Sequence, residues 1–318
     1  MNGPPISEIL TLPLRGAGGE PVSFRATVGS HGLAWLPPND VAVGERTLGT
    51  TLLLADGSAR RISLAEPRAG TLAMTVLGRV PGARASREIV AQVRAMFGLD
   101  DDLAPFYARL RDDAELAFAR DGTGRLLRSP TAFEDVARTI CTTNCAWSAT
   151  VRMIGALGAH LGTAAPGAEP AGWRGRAFPS AAQLAAADDV FFRDVARAGY
   201  RGPYLRALAR GVADGSSDLE GWRAASRAEL PDGELEKRLL GLPGVGPYAA
   251  AHAMMLFGRC SRLVLDSWTR PRYAELVGKA VVPDKTIERR FRRYGDEAGR
   301  AFWLLLWKSR HLEEDRPV

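Results

Sequence analysis

Apolar and polar positions alternate along much of the first part of the chain. Residues 22–28 (VSFRATV) and 71–77 (TLAMTVL) follow a period of two, which predicts strands. The dipeptide Asp56-Gly57 separates the similar stretches 50–55 and 58–64 and is typical of a tight turn between antiparallel strands. The simplest interpretation is a small antiparallel sheet.

The hydrophobic period changes to that of a helix near residue 86. A run of apolar residues at helical spacing ends at Gly98, and its members are Ile89, Val93, Met96 and Phe97. A longer helix is predicted to open at 129–131 and to continue through Trp147, and helical patterns with short breaks follow to about residue 313. The sequence therefore predicts an α+β protein, with an N-terminal antiparallel β-sheet domain over 1–85 and an all-helical domain over 86–318.

Composition and charge indicate which class of molecule the protein binds. The chain has 318 residues, 46% of them hydrophobic, and a net charge of +6, so it can bury a sizeable core and is drawn to polyanions such as nucleic acid. The 42 basic residues include only four lysines: Lys237, Lys279, Lys285 and Lys308. Few amines are therefore available as nucleophiles.

Other sequence features bear on where the protein works. No apolar run approaches the roughly 18 residues that span a bilayer, the first residues lack a signal-peptide pattern, and three cysteines do not form a disulfide framework. A cytoplasmic, nucleoid-associated protein with no membrane contact is expected. Cys141 and Cys145 share a helix face without a complementary ligand pair, so buried thiols are favoured over a metal site.

The most informative segment is LLGLPGVGPYAAAHAMMLFG, at 239–258. The stretch Leu242, Pro243, Gly244, Val245 and Gly246 cannot continue a helix, whereas the proline that follows suits the first turn of a new one. A helix-hairpin-helix is therefore predicted at about 232–258. Backbone N–H groups at such a turn can bind a phosphate without side-chain charge, although a plain turn between two helices is the alternative.

This hairpin resembles that of the helix-hairpin-helix DNA glycosylases over 242–250. The stretch Val264-Leu265-Asp266 lies eighteen residues beyond Tyr248, where that family keeps its catalytic aspartate. Two further stretches resemble the 8-oxoguanine DNA glycosylase branch: 140–144 (ICTTN), and 178–180 (FPS) followed by 198–204 (AGYRGPY). The order of a sheet and then helices also fits the bacterial 3-methyladenine DNA glycosylase II branch. The resemblance covers about 130–310 and implies a base excision repair enzyme that acts on double-stranded DNA containing a damaged base.

The resemblance makes Asp266 the candidate catalytic residue. Breaking an N-glycosidic bond builds positive charge on the sugar, and a nearby carboxylate stabilises that charge and orients the attacking water. The alternative is that Asp266 only caps a helix that begins near Ser267, and the two roles are compatible.

A departure from the family pattern lies two residues after the second hairpin glycine. Strand-cleaving members carry a lysine there, whose amine forms a Schiff base with the sugar, and this chain has Tyr248. A phenol cannot form a Schiff base. The resemblance therefore favours a monofunctional enzyme that uses water as the nucleophile and has no AP lyase activity.

The resemblance also assigns residues to base flipping. Asn144 matches the family residue that enters the space left by the flipped base, and Tyr200 and Arg201 match the wedge that stacks and hydrogen-bonds there. For Tyr200 the alternative is a loop aromatic that packs on its own core.

Four residues are predicted to line the base pocket: Tyr248, His252, Trp303 and Trp307. The pairs 248/252 and 303/307 each lie four residues apart on one helix face. Packing in the core is the alternative for all four, but an electron-rich wall suits a cationic alkylated purine by cation–π attraction.

No cofactor is expected, apart from a monovalent cation at the hairpin that the resemblance allows. No cysteine follows Cys260, which excludes the C-terminal iron–sulfur cluster of some relatives. A monomer is expected. The leading hypothesis is a glycosylase for alkylated purines. A glycosylase for an oxidised or deaminated base such as 8-oxoguanine, and a non-catalytic binder of distorted DNA, are the alternatives.

Overall fold

A five-stranded antiparallel sheet precedes a series of helices. The computed structural model describes residues 6–42 and 46–314. The strands are β1 (Ile6–Pro13), β2 (Asp40–Val41), β3 (Thr47–Leu53), β4 (Ala59–Arg68) and β5 (Thr71–Leu77), in the order β1-β5-β4-β3-β2. The helices are α1 (Phe24–Val28), α2 (Ala83–Met96), α3 (Ala104–Arg109), α4 (Ala132–Thr142), α5 (Trp147–Leu161), α6 (Ala181–Ala186), α7 (Arg201–Ala213), α8 (Leu219–Ala224), α9 (Asp232–Leu240), α10 (Pro247–Leu256), α11 (Thr269–Leu276), α12 (Asp284–Phe291) and α13 (Ala298–Glu314). The predicted α+β class is confirmed.

The predicted hairpin at Asp56-Gly57 is present between β3 and β4. Gly57 has a φ of +79°, and the Asp56 carboxylate accepts a hydrogen bond from the Ser58 N–H at 2.9 Å. The predicted strand at 71–77 is β5, which pairs with both β1 and β4.

The strand predicted at 22–28 is wrong, because most of that stretch forms the short helix α1. The Ser23 hydroxyl accepts a hydrogen bond from the Ala26 N–H at 3.2 Å and caps the helix. Phe24, Ala26, Thr27 and Val28 are all buried and Arg25 is exposed, a burial pattern that does not alternate as that of a strand would.

The helix predicted to run from 129–131 through Trp147 is also corrected. It ends as α4 at Thr142, and a new helix, α5, begins at Trp147. Thr142 and Thr143 donate hydroxyl hydrogen bonds back to the carbonyls of Thr139 and Ile140, at 2.7 and 2.8 Å. Asn144 then has a φ of +47°, a left-handed conformation that Asn tolerates better than most residues. The break leaves Trp147 at the protein surface instead of in the core.

The hydrophobic core of the sheet reaches past residue 85, the boundary drawn from the sequence. Buried residues of α2 pack with those of the strands, and Leu99 and Leu127 complete the same cluster. A second core surrounds α4 and α10, and a third lies between α3 and the last three helices. None of the helices in the described residues combines the length and apolar character that crossing a bilayer requires.

A segment that follows α1, residues 29–36, is hydrogen-bonded to the helical part of the chain. The indole N–H groups of Trp303 and Trp307 donate to the carbonyls of Ser30 and Gly29, at 2.8 and 3.2 Å. The Leu127 N–H donates to the Ser30 hydroxyl at 3.0 Å. These bonds fix the segment beside α13.

The other end of this segment rests on the buried guanidinium of Arg138. That group donates to the Leu36 carbonyl at 3.0 Å, to the Ser129 hydroxyl at 3.0 Å and to the Glu134 carboxylate at 3.1 Å. The carboxylate belongs to the same helix and is also buried. Arg138 thereby links α4 to the segment that leads back to the sheet.

We expect Arg138→Met to destabilise the fold by about 3–5 kcal/mol, because it leaves the Glu134 carboxylate and the Leu36 carbonyl buried without this donor. The matched control is Arg238→Met, which removes an exposed pair with Glu234 and should cost about 0.5 kcal/mol or less. Urea unfolding of both variants checks this. Equal midpoints for the two variants would contradict it.

Candidate active site

The hairpin between α9 and α10 holds two glycines in different environments. Gly244 has a φ of +76°, and a Cβ there would lie 2.8 Å from the Tyr204 ring. Gly246 is extended, precedes the first residue of α10, and would place a Cβ in open space. Leu242 and Val245 point inward and are buried, which anchors the turn.

The backbone of this hairpin offers unused donors. Within the described residues, the N–H groups of Gly244 and Gly246 have no hydrogen-bond partner. The first N–H groups of α10 lack intrahelical partners in addition, and the positive end of its dipole lies at this turn. Phosphate binding at the hairpin, and the monovalent cation beside it, stay predictions.

A pocket of about 600 Å³ lies between α10, α13 and the residues 29–36 segment. Aromatic and small side chains dominate its lining, and the lining residues are Ser30, His31, Gly32, Trp35, Thr142, Cys145, Trp147, Tyr248, His252, Asp266, Ser267, Trp268, Trp303 and Trp307. The pocket thus brings together Asp266 and all four residues predicted for base binding. Its lining contains neither lysine nor arginine.

Asp266 follows the buried Val264 and lies at the turn before α11. Its Oδ1 accepts hydrogen bonds from the N–H groups of Trp268 and Thr269, at 2.9 and 2.7 Å, while its own N–H donates to the Thr269 hydroxyl at 2.8 Å. The Asp266 side chain therefore caps the turn that leads into α11, close to the capping role of the alternative interpretation. Its Oδ2 has no partner in the described part of the chain, so one carboxylate oxygen remains for other chemistry.

The hydroxyl of Tyr248 belongs to a hydrogen-bond chain whose direction can be deduced. Thr142 donates its hydroxyl proton to the Thr139 carbonyl, so its oxygen accepts from Tyr248 at 3.2 Å. The Tyr248 oxygen in turn accepts from Nδ1–H of His252 at 3.3 Å. This network fixes the Tyr248 ring and assigns the His252 proton to Nδ1, leaving Nε2 buried without a partner.

Burial keeps both histidines of the pocket neutral. It lowers the pKa of His252 from 6.5 to about 4, against a smaller opposing effect of the Asp266 charge. It lowers the pKa of His31 to about 3, and the neighbouring His252 contributes in the same direction. The two rings meet edge to face at 5.8 Å. At neutral pH, Asp266 is therefore the one formal charge in the lining.

The indole N–H groups of α13 are not available to a ligand in the pocket. Both N–H groups are used by the carbonyls of Ser30 and Gly29. Trp303 contacts Trp268 at 5.8 Å between ring centroids, and Trp307 stacks on Phe118 at 6.1 Å.

Sequence reasoning missed four aromatic residues of the lining, which are His31, Trp35, Trp147 and Trp268. The position of Trp268, two residues after Asp266, could have indicated that it lines the pocket. Trp147 was assigned to a helix interior, but it packs over Gly32, where a Cβ would lie 2.8 Å from its ring. His31 and Trp35 come from the N-terminal part of the chain, and nothing in their spacing indicates that they reach the pocket.

The predicted flipping residues lie together beside the hairpin. Asn144 and Tyr200 are exposed, and the Asn144 side-chain amide donates to the Tyr200 hydroxyl at 3.3 Å. Tyr200 is 52% exposed, which speaks against the alternative of a core aromatic. Arg201 is instead buried, and it donates to the carbonyl of Thr143.

Comparison with solved structures identifies the fold. The 3-methyladenine DNA glycosylase from Archaeoglobus fulgidus superposes with a TM-score of 0.70 at 16% identity, over 95% of this chain and 99% of that chain. The Clostridium acetobutylicum 8-oxoguanine glycosylase/lyase, bound to DNA, gives 0.64 at 19% identity, over 89% and 93%. The chain has the helix-hairpin-helix DNA glycosylase fold. No protein-family model matches it, and no curated protein sequence does.

Two cysteines of this glycosylase fold lie near the pocket. Cys141 is buried, and burial raises the pKa of its thiol to about 12. Cys145 lines the pocket, and its sulfur contacts the Thr150 hydroxyl at 3.2 Å. Among the residues described, no group of three or more His, Cys, Asp or Glu side chains is arranged to hold a metal.

The low pKa of His252 should appear in the pH dependence of stability. Between pH 6.5 and about 4 the unfolded chain protonates this group while the folded protein does not, so its presence costs stability as the pH falls. His252→Gln removes this penalty. Relative to the wild type, the variant should gain up to about 1.4 kcal/mol per pH unit on going from pH 6.5 to 5. Urea unfolding across that range measures the difference, and a constant difference would contradict it.

The two hairpin glycines should respond differently to alanine. Gly246→Ala should leave the fold intact and weaken binding to every duplex alike, because the new methyl group stands in the path of a phosphate that carries no sequence information. Gly244→Ala should lower stability, because alanine is strained at this φ and meets Tyr204. Thermal unfolding and binding to damaged and undamaged duplexes check both. A binding loss confined to one lesion would argue against a backbone anchor.

Proposed function

We propose that the protein is a monofunctional DNA glycosylase that removes alkylated purines from double-stranded DNA in base excision repair. The proposal rests mainly on one observation. The pocket combines a carboxylate with aromatic walls, and its lining contains no cationic side chain. Asp266 supplies the carboxylate, and tryptophan and tyrosine rings supply the walls. Such a pocket attracts a positively charged base. It also contains the carboxylate that can stabilise the positive charge left on the sugar when the base departs.

The chemistry begins once the base has left the duplex. The bond between C1′ of the sugar and the base nitrogen breaks, its electron pair leaves with the base, and positive charge builds at C1′. Oδ2 of Asp266, which has no competing partner among the described residues, stabilises that charge. A water molecule adds to C1′ and gives its proton to the carboxylate or to solvent.

Water, and not an amine, is the nucleophile in this proposal. Tyr248 takes the lysine position of the strand-cleaving enzymes, and its hydroxyl is already engaged on both sides by Thr142 and His252. None of the four lysines lines the pocket. These observations support release of the base without strand cleavage.

The charge of the lining supports an alkylated purine. A 3- or 7-alkylated purine carries positive charge, so its glycosidic bond is already weakened, and aromatic faces stabilise it by about 0.5–2 kcal/mol per contact. The neutral histidines add no repulsion. The resemblance in fold to the Archaeoglobus 3-methyladenine enzyme agrees with this assignment.

The second candidate is a glycosylase for an oxidised base. The resemblance in fold to the 8-oxoguanine glycosylase/lyase is its specific support. Because Tyr248 replaces the lysine of the strand-cleaving enzymes, removal of an oxidised base would have to rely on Asp266 and water alone.

Asp266→Asn tests the catalytic role. The asparagine oxygen can still accept from the N–H groups of Trp268 and Thr269, so the fold and DNA binding should persist while single-turnover base release falls by about 10²–10³. Asp284→Asn is the matched control, because that carboxylate pairs with Arg270 outside the pocket. Wild-type base release by the Asp266 variant would remove Asp266 from the mechanism.

The product distinguishes hydrolysis from lyase chemistry. We expect intact abasic DNA, with strand breaks only after alkali or heat, because no amine faces the pocket. Borohydride should trap no protein–DNA adduct. Trapping in proportion to turnover would contradict the proposed mechanism and point to a lysine beyond the pocket.

A further inference from the structure

Two exposed side chains, fifty-six residues apart in sequence, are joined by a hydrogen bond near the pocket. The Asn144 side-chain amide donates to the Tyr200 hydroxyl at 3.3 Å. Both side chains are exposed, and both match family residues that enter the DNA. Their mutual hydrogen bond means that neither is placed independently of the other.

Arg201 lies behind this unit and faces the protein. Its Nε donates to the Thr143 carbonyl at 3.0 Å, and Nη2 donates to the same oxygen. The guanidinium also lies over the Tyr200 ring, 4.5 Å from its centroid. Only 7% of the residue is exposed, so these donors are directed away from solvent.

The Thr143 carbonyl lies at the C-terminal end of α4, because Thr143 is the residue that caps this helix. The last carbonyls of a helix lack intrahelical partners, and a cation at this end is favourable. The next residue, Asn144, has a φ of +47°, a left-handed conformation that Asn tolerates better than most residues but that neighbouring contacts still stabilise. Arg201 contributes to this stabilisation through its hydrogen bonds to the Thr143 carbonyl.

The same helix end is attached to the base pocket. The residue before Thr143 is Thr142, whose hydroxyl accepts the hydrogen bond of Tyr248 at 3.2 Å. A shift of this helix end would therefore move Asn144 and disturb the Tyr248 ring together. The wedge and the pocket share one hydrogen-bonded junction.

We propose that Arg201 is a positioning residue that holds Asn144 and Tyr200 as a single rigid wedge for base flipping, and does not itself read the base opposite the lesion. The proposal rests on the glycosylase function proposed above. It departs from the role that sequence resemblance assigned to Arg201. A positioning role implies that its loss impairs flipping equally whatever base stands opposite.

The experiment compares Arg201→Met with Arg210→Met, an exposed arginine on the same helix, α7, as the control. Single-turnover release of 7-methylguanine is measured opposite each of the four normal bases, and opposite an abasic site, where little pairing has to be broken. We expect Arg201→Met to be slower by about tenfold opposite all four bases and by about threefold or less opposite the abasic site. Arg210→Met should match the wild type.

A double-mutant cycle identifies the path of the effect. If Arg201 acts through the wedge, Arg201→Met combined with Asn144→Ala should be no slower than the slower single variant. Arg201→Lys, which keeps the charge but loses the planar stacking and the two-donor contact, should fall between the wild type and Arg201→Met. A loss confined to one opposite base would overturn the proposal in favour of direct reading. If Arg201→Met slowed base release by the same factor on every substrate, including the duplex with an abasic site opposite the lesion, Arg201 would have only a structural role. That result would contradict the proposal.

A readout without base release separates this proposal from the proposed function. A duplex with 2-aminopurine beside a 7-methylguanine reports unstacking by its fluorescence. If the wild type raises the fluorescence but releases no base, the glycosylase assignment fails while the Arg201 proposal remains testable. If Arg201→Met raises it as fast as the wild type, the Arg201 proposal fails on its own.

Discussion

The pocket depends on the two indole N–H groups of α13. By donating to the carbonyls of Gly29 and Ser30, Trp303 and Trp307 hold a segment from the start of the chain against its last helix. This contact closes one wall of the pocket and brings His31 and Trp35 into it. It also uses the N–H group of both rings, so these two side chains offer a ligand no hydrogen-bond donor.

The charge of the pocket follows from the same burial. Enclosure lowers the pKa of both histidines far enough to keep them neutral, while Asp266 has its Oδ1 held by two backbone N–H groups at a helix start. One negative charge thus faces a set of electron-rich rings. This arrangement favours a ligand with positive charge, which is the basis for proposing alkylated purines over neutral lesions.

Sequence reasoning succeeded where local chemistry determines structure. Pro243, Gly244, Gly246 and the proline after them leave the backbone few choices, so the hairpin could be predicted, and so could the turn at Asp56-Gly57. The resemblance to the glycosylase hairpin implied a site role for Asp266, and the structure places Asp266 in the pocket lining.

The features that sequence reasoning missed depend on tertiary contacts. The alternation at 22–28 suits a strand, but a serine cap and the burial of three consecutive residues, 26–28, accompany the helix α1 instead. The break before Trp147 requires the left-handed Asn144, which is held by an arginine from a distant helix. Likewise, nothing near Arg201 in the sequence indicates that its guanidinium turns inward to the Thr143 carbonyl. The contribution of His31 and Trp35 to the pocket requires the first and last parts of the chain to meet.

The most direct test of the central claim is single-turnover base release from a panel of duplexes that each carry one lesion. The claim is that a cation-free aromatic pocket with one carboxylate selects a positively charged base. It predicts that 3-methyladenine or 7-methylguanine is released faster than 8-oxoguanine or uracil from otherwise identical matched duplexes. Release of 8-oxoguanine opposite cytosine as the best substrate, with the methylated bases untouched, would contradict it.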